Sequence, residues 1–155
     1  MKIESPEELL EAKLICIKRV RECIDFAKKN MGISIECPQV RFGITSGVGG
    51  TADSFNNIIQ LNPTLLIYNP KEFFDQVVPH EVSHLLCRKK YPKAGSHGEN
   101  WKNIMRAFGL KPDVCHSMDI RFMPRNIGNT KNKKVTTIVN NKIKNISGGK
   151  IVSFD

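Results

Sequence analysis

The N-terminal part of the chain has the spacing of apolar residues that a long amphipathic helix requires. Apolar side chains recur at intervals of three and four residues between residues 9 and 27, which places them on one helix face. They follow Ser5-Pro6-Glu7-Glu8, in which a capping serine precedes a proline in the first turn and a glutamate three residues after the cap. This pattern predicts a helix that begins near Pro6 and ends before Gly32.

The middle of the chain contains shorter apolar runs that favour strands. Residues 33–45 alternate in part between apolar and polar side chains, with an interruption at Pro38. Residues 55–62 form a second strand-like run, which Asn62-Pro63 ends. Between the two runs, glycines in residues 47–50 predict a turn or a close approach of the backbone to another group.

Two further helices are predicted after the strands. One begins near residue 70 and continues to residue 91. Within this helix, Pro79 indicates either a local bend or a new helix start. The other, "ENWKNIMRAFGL", carries apolar residues at positions i, i+3, i+4 and i+7 and ends at Gly109. Trp101 on this helix is more typical of a core anchor than of a platform for substrate.

The first of these two helices carries two of the four histidines of the chain in the segment "VVPHEVSHLLC". His80 and His84 are four residues apart, so their Cβ atoms should lie about 5–6 Å apart on one helix face. An apolar face formed by Val78, Val82, Leu85 and Leu86 points elsewhere. Glu81 lies about 60° round the helix from His84. This is the HExxH arrangement, in which the histidines bind zinc and the glutamate acts as general base. The simpler alternative is a pair of solvated or hydrogen-bonded histidines.

A catalytic zinc ion usually has three protein ligands and one open position, so a third ligand is expected. The candidates are His97, His116, Cys87, Cys115 and Glu99. Cys87 lies on the same helix face as His84, although a buried helix cysteine is usually inert. His97 follows a loop that contains Pro92 and Gly95 and opens the next helix. A chain reversal at this loop would bring His97 to the ion.

The segment "HEVSHLLCRKKYPKAGSHGENWKNIMRAFGLKPDVCHSMD" resembles the SprT-like (Spartan-type) zinc metallopeptidases. Their signature is HExxH, a short loop, His-Gly-x-x-Trp, a helix with a methionine, and a Cys-His or Thr-His pair. The matching residues are His80, Glu81, His84, His97, Gly98, Trp101, Met105, Cys115 and His116. Upstream, "NNIIQLNPTLL" resembles the strand before the active-site helix of the family. The likeness covers residues 43–119 and implies that His97 is the third ligand.

The resemblance implies an α+β fold of the minimal zincin-like metallopeptidase type. In this fold the N-terminal helix and the HExxH helix would pack on a small, mostly antiparallel sheet. The metallopeptidase domain would comprise residues 1–120, followed by a basic β-type tail in residues 121–155. Many bacterial members of the family end in a zinc ribbon with two cysteine pairs, but residues 116–155 contain no cysteine. A second zinc ion is therefore not expected.

These observations predict a zinc-dependent endopeptidase that acts on protein substrates, among which DNA-associated proteins are one candidate class. His80, His84 and His97 would hold one Zn²⁺ ion, and Glu81 would be the catalytic general base. Residues 55–62 are expected to form an edge strand above the cleft, where an extended substrate could pair through its backbone. The role of His116 stays open between an oxyanion donor, a phosphate ligand and a loop cap. A zinc hydrolase for small molecules is a less favoured alternative.

The positive charge of the chain is concentrated at its C-terminal end. The net charge is +9, and residues 121–155 hold eight Lys and Arg residues against one acidic residue. A local positive field favours anionic partners, of which nucleic acid is the first candidate. The second predicted function is therefore a nucleic-acid-binding accessory protein that retains the zinc site with little or no peptidase activity. A basic surface that only promotes solubility is the simpler explanation.

The remaining composition indicates an intracellular protein. No apolar run approaches 18 residues, and the first residues lack the apolar segment of a signal peptide. The five cysteines are odd in number and form no CxxC pair, which is typical of a reducing compartment. We therefore expect a cytoplasmic location, in which association with the nucleoid or other DNA is compatible with the basic tail. We also expect a monomer and no association with a membrane.

Overall fold

A computed structural model of the chain describes residues 2–114 and residue 118. The helices are α1 (Pro6–Asn30), α2 (Pro63–Tyr68), α3 (Pro70–Glu72), α4 (Val78–Lys90) and α5 (Glu99–Ala107), and the strands are β1 (Gln39–Arg41), β2 (Gly50–Asp53) and β3 (Ile58–Leu61). This confirms the α+β class. The predicted tail, residues 121–155, and the predicted boundary near residue 120 lie outside the described residues and stay predictions.

The three strands form a mixed sheet in the order β1-β3-β2. β2 and β3 pair antiparallel because a short turn joins them, whereas β1 pairs parallel to β3 from the other side. The expectation of a mostly antiparallel sheet is therefore wrong, since one of its two pairings is parallel. Along the chain, β2 runs opposite to β1, and β3 then runs opposite to β2. β3 therefore has the same direction as β1.

β3 is the central strand of this sheet, not an edge strand. The prediction placed an edge strand at residues 55–62, but β3 has partners on both sides, and its backbone offers no free edge. The strand is also shorter than predicted, because Asp53 accepts hydrogen bonds from the Phe55 and Asn56 backbone N–H groups, each at 3.0 Å. These bonds hold the start of the predicted run in a turn. The edge strand on this side of the sheet is β2.

The long N-terminal helix forms as its sequence predicts. The Ser5 hydroxyl accepts a hydrogen bond from the Glu8 backbone N–H at 3.1 Å and caps α1. The helix ends at Asn30, and Gly32 follows with a φ of 67°, a conformation that glycine adopts without strain. The buried face of α1 packs against α4 and supplies much of the core.

The predicted irregularity at Pro79 takes the form of a π-helical turn, Phe73–Val77, between α3 and α4. The Val78 N–H donates to the Phe73 carbonyl, five residues back. Pro79 has no N–H, so the Phe74 carbonyl lacks a donor within the helix. Arg19 of α1 supplies one, because its Nε donates to the Phe74 oxygen at 3.2 Å. This contact ties the start of the histidine helix to α1.

Helix α2 follows β3 directly, and the sequence prediction missed it. Asn62 caps it, because its Oδ1 accepts hydrogen bonds from the Thr64 and Leu65 N–H groups at 3.0 and 3.1 Å. The Nδ2 of the same residue donates to the Ser46 and Val48 carbonyls at 2.7 and 3.0 Å. Asn62 is fully buried. Its hydrogen bonds join the glycine-containing loop before β2 to the end of β3.

Replacing Asn62 with aspartate is expected to lower the free energy of unfolding by about 2–3 kcal/mol. Aspartate keeps the capping oxygen but places a second oxygen against the Ser46 and Val48 carbonyl oxygens, to which Asn62 donates. Urea unfolding of wild type and variant measures the loss. Asn103→Asp is the matched control, because its exposed side-chain oxygen already accepts from Arg106 and aspartate retains that acceptor. A loss for Asn62→Asp no larger than that of the control would contradict the assigned role.

The apolar faces predicted for the last two helices are buried as expected. Val78, Val82, Leu85 and Leu86 of α4 lie in the core with Trp101, Ile104 and Met105 of α5. Gly109 ends this region with a φ of 78°. Within residues 2–114 and 118, no helix combines the length and the apolar character needed to cross a membrane.

Candidate metal centre

The three predicted histidine ligands lie together on one side of α4. His80 and His84 are one turn apart on α4, and their Nε2 atoms are 3.2 Å apart. The Nε2 of His97 is 3.3 Å from the Nε2 of His80. His97 lies in the turn before α5, which begins at Glu99, so it does not open the helix as predicted. The chain reversal after α4 nevertheless brings it to the other two imidazoles.

The spacing of these nitrogens suits a small divalent ion. One potential ligand atom from each histidine lies within 4.8 Å of the others, so the group could hold a metal ion. With metal–nitrogen bonds of about 2.0–2.1 Å, two ligands of a tetrahedral ion are about 3.3–3.4 Å apart. The two Nε2–Nε2 separations in the structure, 3.2 and 3.3 Å, are close to that value. The residues present therefore fit a tetrahedral metal site.

Burial favours the neutral form of the His84 and His97 imidazoles, which is the form that binds metals. Desolvation, with the neighbouring charges of His80 and His97, lowers the pKa of His84 to about 3. The hydrogen bond that the His84 imidazole donates to the Ser96 backbone carbonyl opposes this shift and also orients the ring. Desolvation lowers the pKa of His97 as well.

The Trp101 ring contacts all three histidine rings. Its side chain is fully buried, and its ring centroid lies 4.7 Å from those of His80 and His97 and 5.4 Å from that of His84. Its Nε1 donates to the His80 carbonyl oxygen at 3.4 Å. The expectation that Trp101 is a core anchor is confirmed, and its contacts limit the rotation of each imidazole.

Glu81 lies beside the histidines and against the start of strand β2. Its side chain is only 6% exposed, and burial raises the pKa of its carboxyl group to about 8. A Cβ atom at Gly50 would lie 2.8 Å from the Glu81 Cγ and 3.1 Å from its Oε1. Gly50 thus allows the close backbone approach that the glycine pattern predicted, and it leaves room for the carboxyl group.

An open cleft passes over the histidines and Glu81. Strand β2 forms one wall, α4 forms the floor, and the turn that carries His97 forms the other wall. The residues that line it outside the histidine group include Val48, Gly50, Thr51, Ala52, Ser54, Glu81, Cys87, Arg88, Ala94, Gly95, Ser96 and Val114. The role of β2 was missed from the sequence, because strand order depends on contacts between distant segments.

The other candidate ligands do not join the histidine group among the described residues. Cys87 lines the cleft, but its sulfur is not part of the cluster of potential ligand atoms. Glu99 is exposed, and its carboxylate lies 3.3 Å from Arg106 and 4.0 Å from Lys102. Cys115 and His116 lie outside the described residues, so their proposed roles stay predictions.

Comparison with known proteins identifies relatives across most of this region. The model of a family described as SprT-like matches residues 17–120. The chain is 34% identical over 104 residues to Protein SprT of Pasteurella multocida, a match that covers 66% of this chain and 63% of that protein. It is 32% identical over 100 residues to Protein SprT of Vibrio parahaemolyticus, which covers 64% and 61%. The match thus spans slightly under two thirds of each relative. No solved structure matches significantly.

Proposed function

Since the chain belongs to the SprT-like family, we propose that it is a zinc-dependent endopeptidase with a minimal zincin-like active site. The observation that carries the proposal is the meeting of three imidazoles and one buried carboxyl group in an open cleft. A metal-binding protein without catalytic function has no need of the carboxyl group. A peptidase needs a base beside the metal ligands, and the buried Glu81 carboxyl group in the same cleft supports that role.

The proposed metal is Zn²⁺, held by His80, His84 and His97. Three imidazole nitrogens and no oxygen ligand suit zinc better than the hard cations Mg²⁺ and Ca²⁺. When bound, zinc would supply Lewis acidity toward a peptide carbonyl and would lower the pKa of water to about 7. The ring contacts of Trp101 would hold the imidazoles in the ligand arrangement.

Glu81 moves the proton in the proposed reaction. Its carboxylate accepts a proton from the water molecule that attacks the peptide carbonyl carbon. The carbon–nitrogen bond then breaks, and Glu81 delivers the same proton to the leaving nitrogen, which departs as an amine. The carboxylate is regenerated, so no further reactant is required. Burial raises the pKa of this carboxyl group to about 8 in the metal-free protein, which strengthens it as a proton acceptor, and the positive charge of a bound zinc ion would lower the pKa again and favour the carboxylate.

Strand β2 is the proposed binding edge for the substrate. It is an outer strand of the sheet, and it lines the cleft beside Glu81. An extended peptide that added to this edge would receive backbone hydrogen bonds, which recognise protein substrates with little dependence on sequence. An unfolded protein segment is therefore the expected substrate.

Removing the metal is expected to abolish cleavage of an unfolded protein such as reduced, carboxymethylated casein. The zinc-loaded protein should yield new peptides by mass spectrometry, and the chelated protein should yield none. Readdition of one equivalent of zinc should restore the activity, which excludes irreversible damage by the chelator. Cleavage that continues at full rate in the metal-free protein would contradict the proposed function.

Replacing Gly50 with alanine is expected to lower kcat by about 10- to 100-fold, because small displacements of catalytic groups have effects of this size. The new Cβ would lie 2.8 Å from the Glu81 Cγ and 3.2 Å from the Gln60 carbonyl oxygen. The carboxyl group must therefore move, whereas the zinc content should not change. Peptide hydrolysis and metal analysis measure the two effects.

Gly47→Ala is the matched control for this substitution. No atom lies within 4 Å of the position that a Cβ would take at Gly47. This variant should keep wild-type activity. An unchanged kcat in Gly50→Ala, or an equal loss in the control, would contradict the positioning of Glu81 by Gly50.

The charge distribution favours one second candidate, a nucleic-acid-binding accessory protein that keeps the zinc site. Residues 121–155 hold eight Lys and Arg residues against one acidic residue. Fluorescence anisotropy with a labelled single-stranded DNA in a salt series tests this candidate. Phosphate contacts predict an affinity that falls steeply with salt and falls again when Lys131, Lys133 and Lys134 are replaced by alanine. Binding that is insensitive to both changes would contradict it. DNA-dependent peptidase activity would support both candidates together.

A further inference from the structure

The stripe of α4 that carries the histidines continues to a cationic side chain. His80, His84 and Arg88 follow one another at intervals of four residues, so they lie near one helix face. Arg88 lines the same cleft as the histidines and is exposed at its far end. In the described lining of that cleft, the ionisable side chains are Arg88, Cys87, Glu81 and the histidines.

Arg88 stands where the cleft meets a second hollow. This hollow shares Arg88 and Ser54 with the cleft. Its remaining lining residues are Ile35, Glu36, Asn57, Leu85, Lys89 and Pro92. Because the two spaces share these residues, a peptide in the cleft can place a side chain into the hollow beside the guanidinium group.

The guanidinium group of Arg88 is oriented and has donors to spare. Its Nη1 donates to the Pro92 carbonyl oxygen at 2.6 Å, which fixes the side chain against the turn after α4. A guanidinium group has five N–H donors. Glu36 lines the hollow, but in the described part of the chain it forms no ion pair with Arg88 within 4.0 Å. Lys89 also lines the hollow and adds to its positive charge.

The distance along α4 from Glu81 to Arg88 corresponds to a definite number of residues in an extended substrate. β2 packs against α4, with Gly50 beside Glu81 and with Ser54, the residue after β2, in the lining shared with Arg88. The two elements therefore run in the same direction along the cleft. Seven residues of helix rise about 10 Å. An extended peptide covers that distance in about three residues.

We propose that Arg88 binds a carboxylate side chain of the substrate, Asp or Glu, about three residues from the bond that is cleaved. This inference rests on the proposed peptidase function and names a preference within it. The guanidinium group would pair with the carboxylate through two N–H donors, as arginine commonly does. The contact would lie at the exposed end of the cleft and would select substrates without taking part in proton transfer.

Peptides that differ only in aspartate or asparagine test the proposal. One parent peptide cleaved by the zinc-loaded full chain is varied at each position within four residues of the cleaved bond. Wild type should prefer aspartate by about fivefold in kcat/KM at one position near the third residue, a size that an exposed ion pair can supply. Arg88→Ala should remove the preference, and Arg88→Glu should replace it with a preference for lysine. Lys90→Glu, the matched charge reversal outside both spaces, should leave the wild-type preference for aspartate unchanged.

Binding provides a readout that does not depend on turnover. The Glu81→Gln variant, loaded with zinc, should bind a fluorescent aspartate peptide more tightly than the asparagine peptide, and Arg88→Ala in that background should equalise them. Equal cleavage and binding of the two peptides by protein with Arg88 would overturn this proposal and leave the peptidase function intact. A preference that survives Arg88→Ala would also overturn it. If no peptide is cleaved, the proposed function fails, and absent or equal binding then overturns this inference as well.

Discussion

Replacing Glu81 with glutamine is expected to reduce peptide hydrolysis by about 10²- to 10⁴-fold, the range that general acid–base catalysis contributes. Glutamine has nearly the same shape, so it should fit against Gly50 and leave the three imidazoles in place. It cannot accept a proton from water at neutral pH. Peptide hydrolysis under single-turnover conditions measures the loss, and metal analysis should give the zinc content of wild type.

The same substitution should change how the stability of the metal-free protein depends on pH. Burial raises the pKa of Glu81 from 4.5 to about 8, so between these values the folded state binds more protons than the unfolded state. The stability that Glu81 contributes is present below pH 4.5 and is lost as the pH rises through 8. Glu81→Gln removes this dependence. Thermal unfolding should therefore show that the stability of the variant relative to wild type is higher at pH 8 than at pH 5. The histidines contribute equally to both proteins, so their titration cancels in this comparison.

Glu99→Gln is the matched control for both measurements. Glu99 is exposed at the start of α5 and interacts with Arg106, away from the histidine group. This variant should retain activity and the pH dependence of wild type. Wild-type cleavage by Glu81→Gln would contradict the role of Glu81 as the base, whatever its metal content.

Features that depend on neighbouring residues could be predicted from the sequence. The cap of α1 at Ser5, the burial of one face of α4 and the end of α5 near Gly109 all follow from residue type and helical spacing. The closeness of His80 and His84 follows from their separation of four residues. A reversal at the loop with Pro92 and Gly95 would bring His97 beside them, and the resemblance to the SprT-like family implied that His97 is the third ligand.

Features that depend on distant segments could not be predicted. Residues 55–62 have the composition of a strand, but nothing within them indicates that β3 would be central and β2 the edge. The approach of Gly50 to Glu81 is fixed by that strand order, so the glycine pattern predicted a close contact without its partner. The helix cap at Asn62 was missed because the same Asn-Pro pair can end a strand or begin a helix.

Zinc content in wild type and in the His97→Ala variant tests the central claim most directly. Three imidazoles are proposed to hold one ion, and the loss of one ligand should weaken binding by more than the 10- to 100-fold that outer contacts contribute. After dialysis against a weak chelator, elemental analysis should find one zinc ion per wild-type chain and nearly none in His97→Ala. Cys87→Ala, which alters the cleft but not the ligand set, should keep its zinc. A full equivalent of zinc in His97→Ala, or its loss in Cys87→Ala, would contradict the account.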